Sequence, residues 1–392
     1  MSPLQLSRSK DLQELRDDGY DISVLSGHLV VSDVPYVTTT REVARGTLIS
    51  VLTLAGNETT NPGDHVIYFK GETPCRRDGT PLNFINASDP VHLTAELIAT
   101  HTFSSKPDTP DPDYFAKITR YVAQLENQAK AIDPTVTAKT FPVIAGIEEE
   151  TVFRYLDTAS TRARISSITD KLRVAKIAIV GLGGTGSYIL DLVAKTPVGE
   201  IHLYDGDGFL QHNAFRAPGA PSLDDLRLKQ RKVDYLFGIY DRMRTGIVPH
   251  HYDLNLETVE ELRGFDFVFL AIDTGNLKKA LVKKLEEFGI SFVDVGLGVF
   301  ETNNSLGGIV RTTTSVPSQR SHIWTKNRIP FPNEEQEGEY DQNIQIADLN
   351  ALNAAMAVIK WKKLLGFYVD LEREHFSAYT IDGNHLVNED QT

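Results

Sequence analysis

Cysteine is almost absent: the 392 residues contain one, Cys75, so neither an intrachain disulfide nor a cysteine-based zinc site can form. Positive charge is also in short supply. The formal net charge is −13, whereas a protein that grips a phosphate backbone presents an excess of Lys and Arg to displace counterions. A nucleic-acid partner is therefore not expected. No segment approaches the roughly 18 consecutive apolar residues of a membrane span. Residues 1–15 are polar and charged and do not read as a signal peptide. With disulfides and membrane segments set aside, a reducing, cytoplasmic setting is the default expectation.

What is present suits a soluble globular chain: 41% of the residues are apolar and both charge signs are plentiful. The length exceeds one ordinary core, so two domains are expected, at 1–145 and 150–392. The first is rich in β-branched residues and turn formers. Residues 48–54 and 66–69 read as strands, with a turn at Asn61-Pro-Gly-Asp64. The proline- and aspartate-rich run 104–113 cannot continue helix or strand. Tyr114, Ile118, Tyr121, Val122, Leu125 and Ala129 then follow at helical spacing. This domain reads as small α+β.

From Lys176 the pattern changes. Residues 177–180, 201–204, 267–270 and 291–295 are short apolar runs, as expected of strands buried on both faces. Helical stretches at 187–195, 229–243 and 277–288 separate them. The alternation calls for an α/β domain with a Rossmann-like, mostly parallel sheet, whose ligand sits beyond the carboxyl ends of the strands.

Gly181-Leu-Gly-Gly-Thr-Gly186 follows the first of these strands and opens a helix. Glycines there permit a tight turn and let backbone N–H groups approach phosphate oxygens, so Gly181, Gly183, Gly184 and Gly186 are candidate nucleotide-binding positions. The second strand ends in Tyr204-Asp-Gly-Asp207. Asp205 fits a dinucleotide site, where an acidic residue holds ribose hydroxyls. Asp207 is not required by that scheme, and could orient a magnesium ion, a nucleotide hydroxyl or nothing but solvent.

The string Asp205-Gly-Asp-Gly-Phe-Leu-Gln-His-Asn-Ala-Phe-Arg216 resembles the ThiF/MoeB and ubiquitin-activating superfamily, whose pattern is Asp-x-Asp followed by Asn-x-x-Arg. Asn213 and Arg216 match it. Lys232 resembles the family lysine that contacts phosphate, with Lys229 the alternative. Asp273, in Ala271-Ile-Asp-Thr-Gly-Asn276, is similar to the family's strand-end aspartate beside magnesium. The stretch from Gln342 to Gly366 resembles a late family helix, followed by a strand near 378–382. The resemblance covers roughly 152–388.

It implies binding of ATP and magnesium and adenylation of a carboxylate, most readily the C-terminal one of a ubiquitin-like protein that then passes to a conjugating partner. Arg216, Lys232 and a metal held by Asp273 would carry the charge that develops as pyrophosphate leaves. Asn213, neutral and bidentate, suits a phosphate or ribose. Family members are typically homodimers in which an arginine reaches the partner's nucleotide. Arg162 is the best match here, with Arg154 and Arg164 as competitors.

Departures from the family are as informative. Many relatives carry zinc cysteines and some a catalytic one; this chain has neither beyond residue 152, so zinc is not expected. An acyl group could pass to a separate protein, to Cys75, or to a hydroxyl in the run Thr312-Thr-Thr-Ser315 with Ser318, Ser321 and His322 as a base. Cys75, read as exposed and followed by Arg76 and Arg77, would have a lowered thiol pKa if those cations lie near it. Gly27-His-Leu-Val-Val-Ser-Asp-Val-Pro-Tyr36 and Gly71-Glu-Thr-Pro-Cys75 faintly resemble a ubiquitin-conjugating-like domain; a partner-recruiting module is the other reading. Adenylation of a sulfur-carrier protein, of a peptide or, least expected for so acidic a chain, of an RNA-linked carboxylate remains an alternative, as do a nicotinamide-dependent oxidoreductase and a silent scaffold.

Overall fold

In the computed structural model, residues 8–56, 58–94, 96–146, 151–273, 275–331 and 344–391 are described. They form two compact units: residues 1–144 with 157–165, and residues 145–156 with 166–392.

The first unit has ten strands: β1 (Ile22–Leu25), β2 (His28–Val37), β3 (Val43–Val51), β4 (Leu54–Ala55), β5 (Glu58–Thr59), β6 (Val66–Lys70), β7 (Ile85–Ala87), β8 (Val91–His92), β9 (Ile98–Ala99) and β10 (His101–Ser104). Six make one sheet in the order β1-β2-β3-β6-β10-β7, and β4-β5 and β8-β9 are two-stranded ribbons. The helix Tyr114–Lys130 is capped by Asp113, whose side chain accepts from Ala116 N. That satisfies one of the first-turn N–H groups that a helix leaves unpaired. Its apolar stripe of Tyr114, Ile118, Tyr121, Val122 and Leu125 joins Leu29, Val31, Leu48, Ile67, Phe69 and Phe103 in the core.

In the second unit the strands are β11 (Lys176–Val180), β12 (Glu200–Tyr204), β13 (Ile247–His250), β14 (Phe267–Leu270), β15 (Ser291–Thr302), β16 (Ser305–Ser315), β17 (Phe376–Thr380) and β18 (His385–Glu389). Their order is β13-β12-β11-β14-β15-β16-β17-β18. The sheet is mixed. The five strands from β13 to β15 pair in parallel, and the long β15-β16 hairpin then turns the rest antiparallel. Parallel strands alternate with helices because a crossover is needed to bring the chain back to the same end.

Apolar side chains fill both faces. Ile177, Ile179, Leu203, Phe269 and Val293 pack against the helices Gly184–Ala194, Lys232–Tyr240 and Ala347–Leu364. Val180, Val268, Leu270 and Phe292 pack on the other side with Leu281, Val282 and Leu285 of the helix Gly275–Glu287. Gln342 and Asn343, which open the late-helix motif, lie outside the described residues; its helix is Ala347–Leu364.

Trp361 anchors that late helix: it is fully buried and meets Phe269 edge-on at 5.9 Å. Trp361→Ala should therefore cost about 3–5 kcal/mol in the unfolding transition of this unit, followed by far-UV circular dichroism in urea. A loss below about 1 kcal/mol contradicts the packing described. Trp361→Phe should cost less, because the indole N–H has no partner among the described residues.

Candidate functional site

A cavity of about 560 Å³ opens at the carboxyl ends of β11, β12 and β14. Its floor is the turn between β11 and the helix Gly184–Ala194. Gly181 has φ +87°, a left-handed conformation that side chains disfavour. A Cβ on Gly186 would sit 1.9 Å from the carbonyl oxygen of Gly181, so the first turn of the helix can close over the loop only without one. Gly181, Gly183 and Gly184 line the cavity, and the helix presents its N-terminal end there. Such an end favours anions.

Asp205, at the end of β12, organises the next layer. It is buried, and its Oδ2 accepts from Leu182 N at 2.7 Å while Oδ1 accepts from Asp207 N at 2.9 Å. Lys232 lies 3.3 Å from the same carboxylate and donates to Asp207 Oδ2 at 2.6 Å. The backbone of Lys232 is pinned too, its N–H reaching Asp207 O at 2.9 Å. Asp253 Oδ1 accepts from Gly206 N at 2.8 Å. Asp205, Asp207, Lys232 and Asp253 all line the cavity. Both oxygens of Asp205 are thus engaged with the loop.

Arg216 and Asp273 complete the charged lining. Arg216 Nε is buried with no hydrogen-bond partner among the described residues, a costly state for a charged donor unless a ligand takes it. Asp273 follows β14 on the exposed rim. Asn213 does not line the cavity. It is buried, and its Oδ1 accepts from Leu210 N at 2.8 Å, which fixes the start of the short helix Gln211–Ala214.

Three residues of the late helix and its approach were not foreseen. Asn350 Oδ1 accepts from Thr185 Oγ1 at 3.0 Å and its amide nitrogen lies 3.4 Å from Arg216 O, so one side chain ties the glycine turn to the arginine segment. Asn353 and Gln345 line the cavity. The available signal was two buried asparagines three residues apart in an apolar helix, where asparagine is a poor helix former.

Other expected residues lie elsewhere. Arg162 belongs to the first unit, its guanidinium 5.1 Å above the Phe141 ring. Arg154 pairs with Asp241 at 2.7 Å and Arg164 with Glu14 at 3.6 Å. Lys229 caps a short helix in a left-handed conformation and is absent from the cavity wall, where Lys232 stands. Ser315 is fully buried, 3.4 Å from Glu286. His322 Nε2 lies 3.0 Å from the carbonyl of Thr314, so no serine–histidine dyad forms there. Ser318 and Ser321 are exposed.

The family described as the ThiF family matches residues 156–377, more than half of the chain. The chain belongs to the ThiF family. Its second unit accordingly carries the nucleotide-binding adenylation fold of that family. Residues 10–158 match a family described as a domain of unknown function, DUF6791. The tRNA threonylcarbamoyladenosine dehydratase of Haemophilus influenzae is 27% identical over 127 residues, 32% of this chain and 49% of that protein. The chain thus spans about half the length of the curated relative it matches. Solved structures similar to it include Escherichia coli MccB with AMPCPP and MccA, at 18% identity and TM-score 0.47 over 60% of this chain and 70% of that one. PaaA is similar at 15% identity and TM-score 0.47, over 71% of this chain and 93% of that one.

Among the described residues no group of three His, Cys, Asp or Glu side chains is placed to hold a metal ion, and no helix is long and apolar enough to cross a membrane.

Cys75 corrects an expectation. It is fully buried, bridged to Val37 and Pro81, and its thiol donates to Thr73 O at 3.4 Å. Burial, and then the charge of Asp78, push the thiol pKa up rather than down. A raised pKa leaves little of the nucleophilic thiolate at neutral pH. Iodoacetamide at pH 8 should accordingly label Cys75 far more slowly in the native protein than in 6 M guanidinium, by at least tenfold as an order-of-magnitude expectation. Equal rates would show an accessible thiol.

Proposed function

We propose that the second unit binds ATP with magnesium and adenylates the C-terminal carboxylate of a ubiquitin-like protein, which then passes to a separate conjugating partner. The observation that carries the nucleotide reading is the unpartnered Nε of Arg216 in the cavity floored by the glycine turn, with Lys232 in the same wall. Two cations above a helix N-terminus suit a polyphosphate, whereas a nicotinamide site has no use for Arg216, Lys232 and Asp273 together. The ubiquitin-like substrate rests on the ordered family pattern from Asp205 to Asp273.

In this reading a substrate carboxylate oxygen attacks the α-phosphorus of ATP, a new P–O bond forms, and the bond to the bridging oxygen of pyrophosphate breaks. Arg216 donates to phosphate oxygens as charge shifts onto them. Lys232 contributes after exchanging Asp207, the more exposed of its two partners, for phosphate. Asp205 keeps the lysine at the mouth of the turn throughout.

The wall holds four carboxylates, Asp205, Asp207, Asp253 and Asp273, against two cations, Arg216 and Lys232. A polyphosphate accompanied by a divalent cation fits that balance better than a bare anion does. Magnesium is commonly held by one or two carboxylates plus substrate phosphates, a demand that Asp273 meets from the rim. When bound, it neutralises charge on the departing pyrophosphate.

The first unit we assign to recruitment of the protein substrate or of the conjugating partner. The burial of Cys75 favours that role over a conjugating one. A homodimer with Arg162 supplied in trans is the arrangement that the family pattern implies.

Arg216→Ala should slow ATP–pyrophosphate exchange by a factor corresponding to about 2–4 kcal/mol. Asp273→Ala should abolish the magnesium-dependent exchange while the far-UV circular dichroism stays that of the folded protein. Exchange at the wild-type rate in both variants overturns the site.

A further inference from the structure

Arg216 Nε is not alone in lacking a partner: among the described residues, two acceptors in the cavity wall are likewise buried and unpaired, Asn353 Oδ1 and Gln345 Oε1. The Asn353 side chain is held in one orientation. It is fully buried, and its amide nitrogen donates to Gly296 O at 3.0 Å, so the oxygen is the end left to the cavity. A buried acceptor without a donor is destabilising. Neither a phosphate nor a carboxylate can relieve it, since both offer oxygen lone pairs. An N–H or O–H donor can.

ATP has such groups in the adenine amine and the two ribose hydroxyls, but the sheet order argues against the nucleoside's reaching this wall. The glycine turn follows β11, and the acidic loop that marks the nucleoside end in a fold of this kind follows β12, on one side of it. Asn353 bonds to β15, and its neighbours in the wall, Val295 and Leu297, are β15 residues. β15 lies on the other side of β11, three strands from β12. At about 4.8 Å per strand that is roughly 14 Å across the sheet. With phosphates over the turn and the nucleoside toward β12, the β15 side faces the second reactant.

We infer that Asn353 and Gln345 are specificity-determining residues for the acyl substrate. They accept the backbone N–H groups just before the activated carboxylate, and so select a peptide chain end over a small organic acid. The assignment rests on the adenylation reading above. It makes the late helix a substrate-recognition element: one face ties the glycine turn through Asn350 while Asn353 addresses the chain to be activated.

The test uses the full chain and three non-reactive acyl-adenylate analogues, acyl sulfamoyl adenosines, titrated by calorimetry. One carries an acetylglycylglycyl group. In the second the amide N–H nearest the activated carbonyl is replaced by an ester oxygen. The third carries a butyryl group. The wild-type protein should bind the first about tenfold more tightly than the second. That preference should vanish in Asn353→Leu and shrink in Gln345→Leu, while affinity for the butyryl analogue stays the same in all three proteins. Gln345 is only half-buried, so Gln345→Leu keeps the test valid if Asn353→Leu fails to fold. Equal affinity for amide and ester analogues in the wild-type protein overturns the proposal. So does uniform weakening of all three analogues in the variants, which would place the acceptors on the nucleoside. Failure of every analogue to bind the wild-type protein overturns the adenylation reading and this assignment with it.

Discussion

One carboxylate holds the site together. Asp205 accepts from the glycine turn at Leu182, from the next loop at Asp207, and pairs with Lys232 at the start of a third element. These three segments are distant in sequence and each carries part of the cavity wall. Removing a partner from a buried ion pair typically costs about 3–5 kcal/mol, because the remaining charge is left unsolvated. The acidic residue that resembles a dinucleotide signature thus has a structural job here as well. Its oxygens build the loop that presents Lys232.

The late helix supplies the other half of the frame. Trp361 buries its far end against Phe269 of β14, and Asn350 joins Thr185 to Arg216 at its near end. Arg216 is thereby supported through its own carbonyl, while its buried Nε has no partner among the described residues. A donor already in place where charge develops costs no reorganisation during a reaction, which is what stabilisation of a transition state draws on.

Much of this was legible in the sequence where local pattern and fold agree. Strands β11, β12 and β14 are buried on both faces and read as apolar runs, and the glycine turn declares itself because backbone and not side chain must approach the ligand. Strand β13 escaped notice because His250 and Pro249 break the apolar pattern at the sheet edge, where proline is tolerated. The antiparallel extension of β15 and β16 was also hidden: Gly296, Gly298, Gly307 and Gly308 give it no strand propensity, and pairing along its full length decides it. Cys75 shows the opposite failure. Flanking arginines suggested the surface, but pairing with Val37 and Pro81 places it inside. Asn213 matched the family pattern by position, yet local capping takes its oxygen, a contact that spacing alone does not reveal.

Whether this cavity takes ATP or a dinucleotide is decided by calorimetric titration of the full chain in magnesium buffer with each ligand. One ATP should bind per chain, with an affinity that falls on Arg216→Ala or Lys232→Met, and NAD should give no heat. Saturable binding of NAD with no binding of ATP would contradict the adenylation reading.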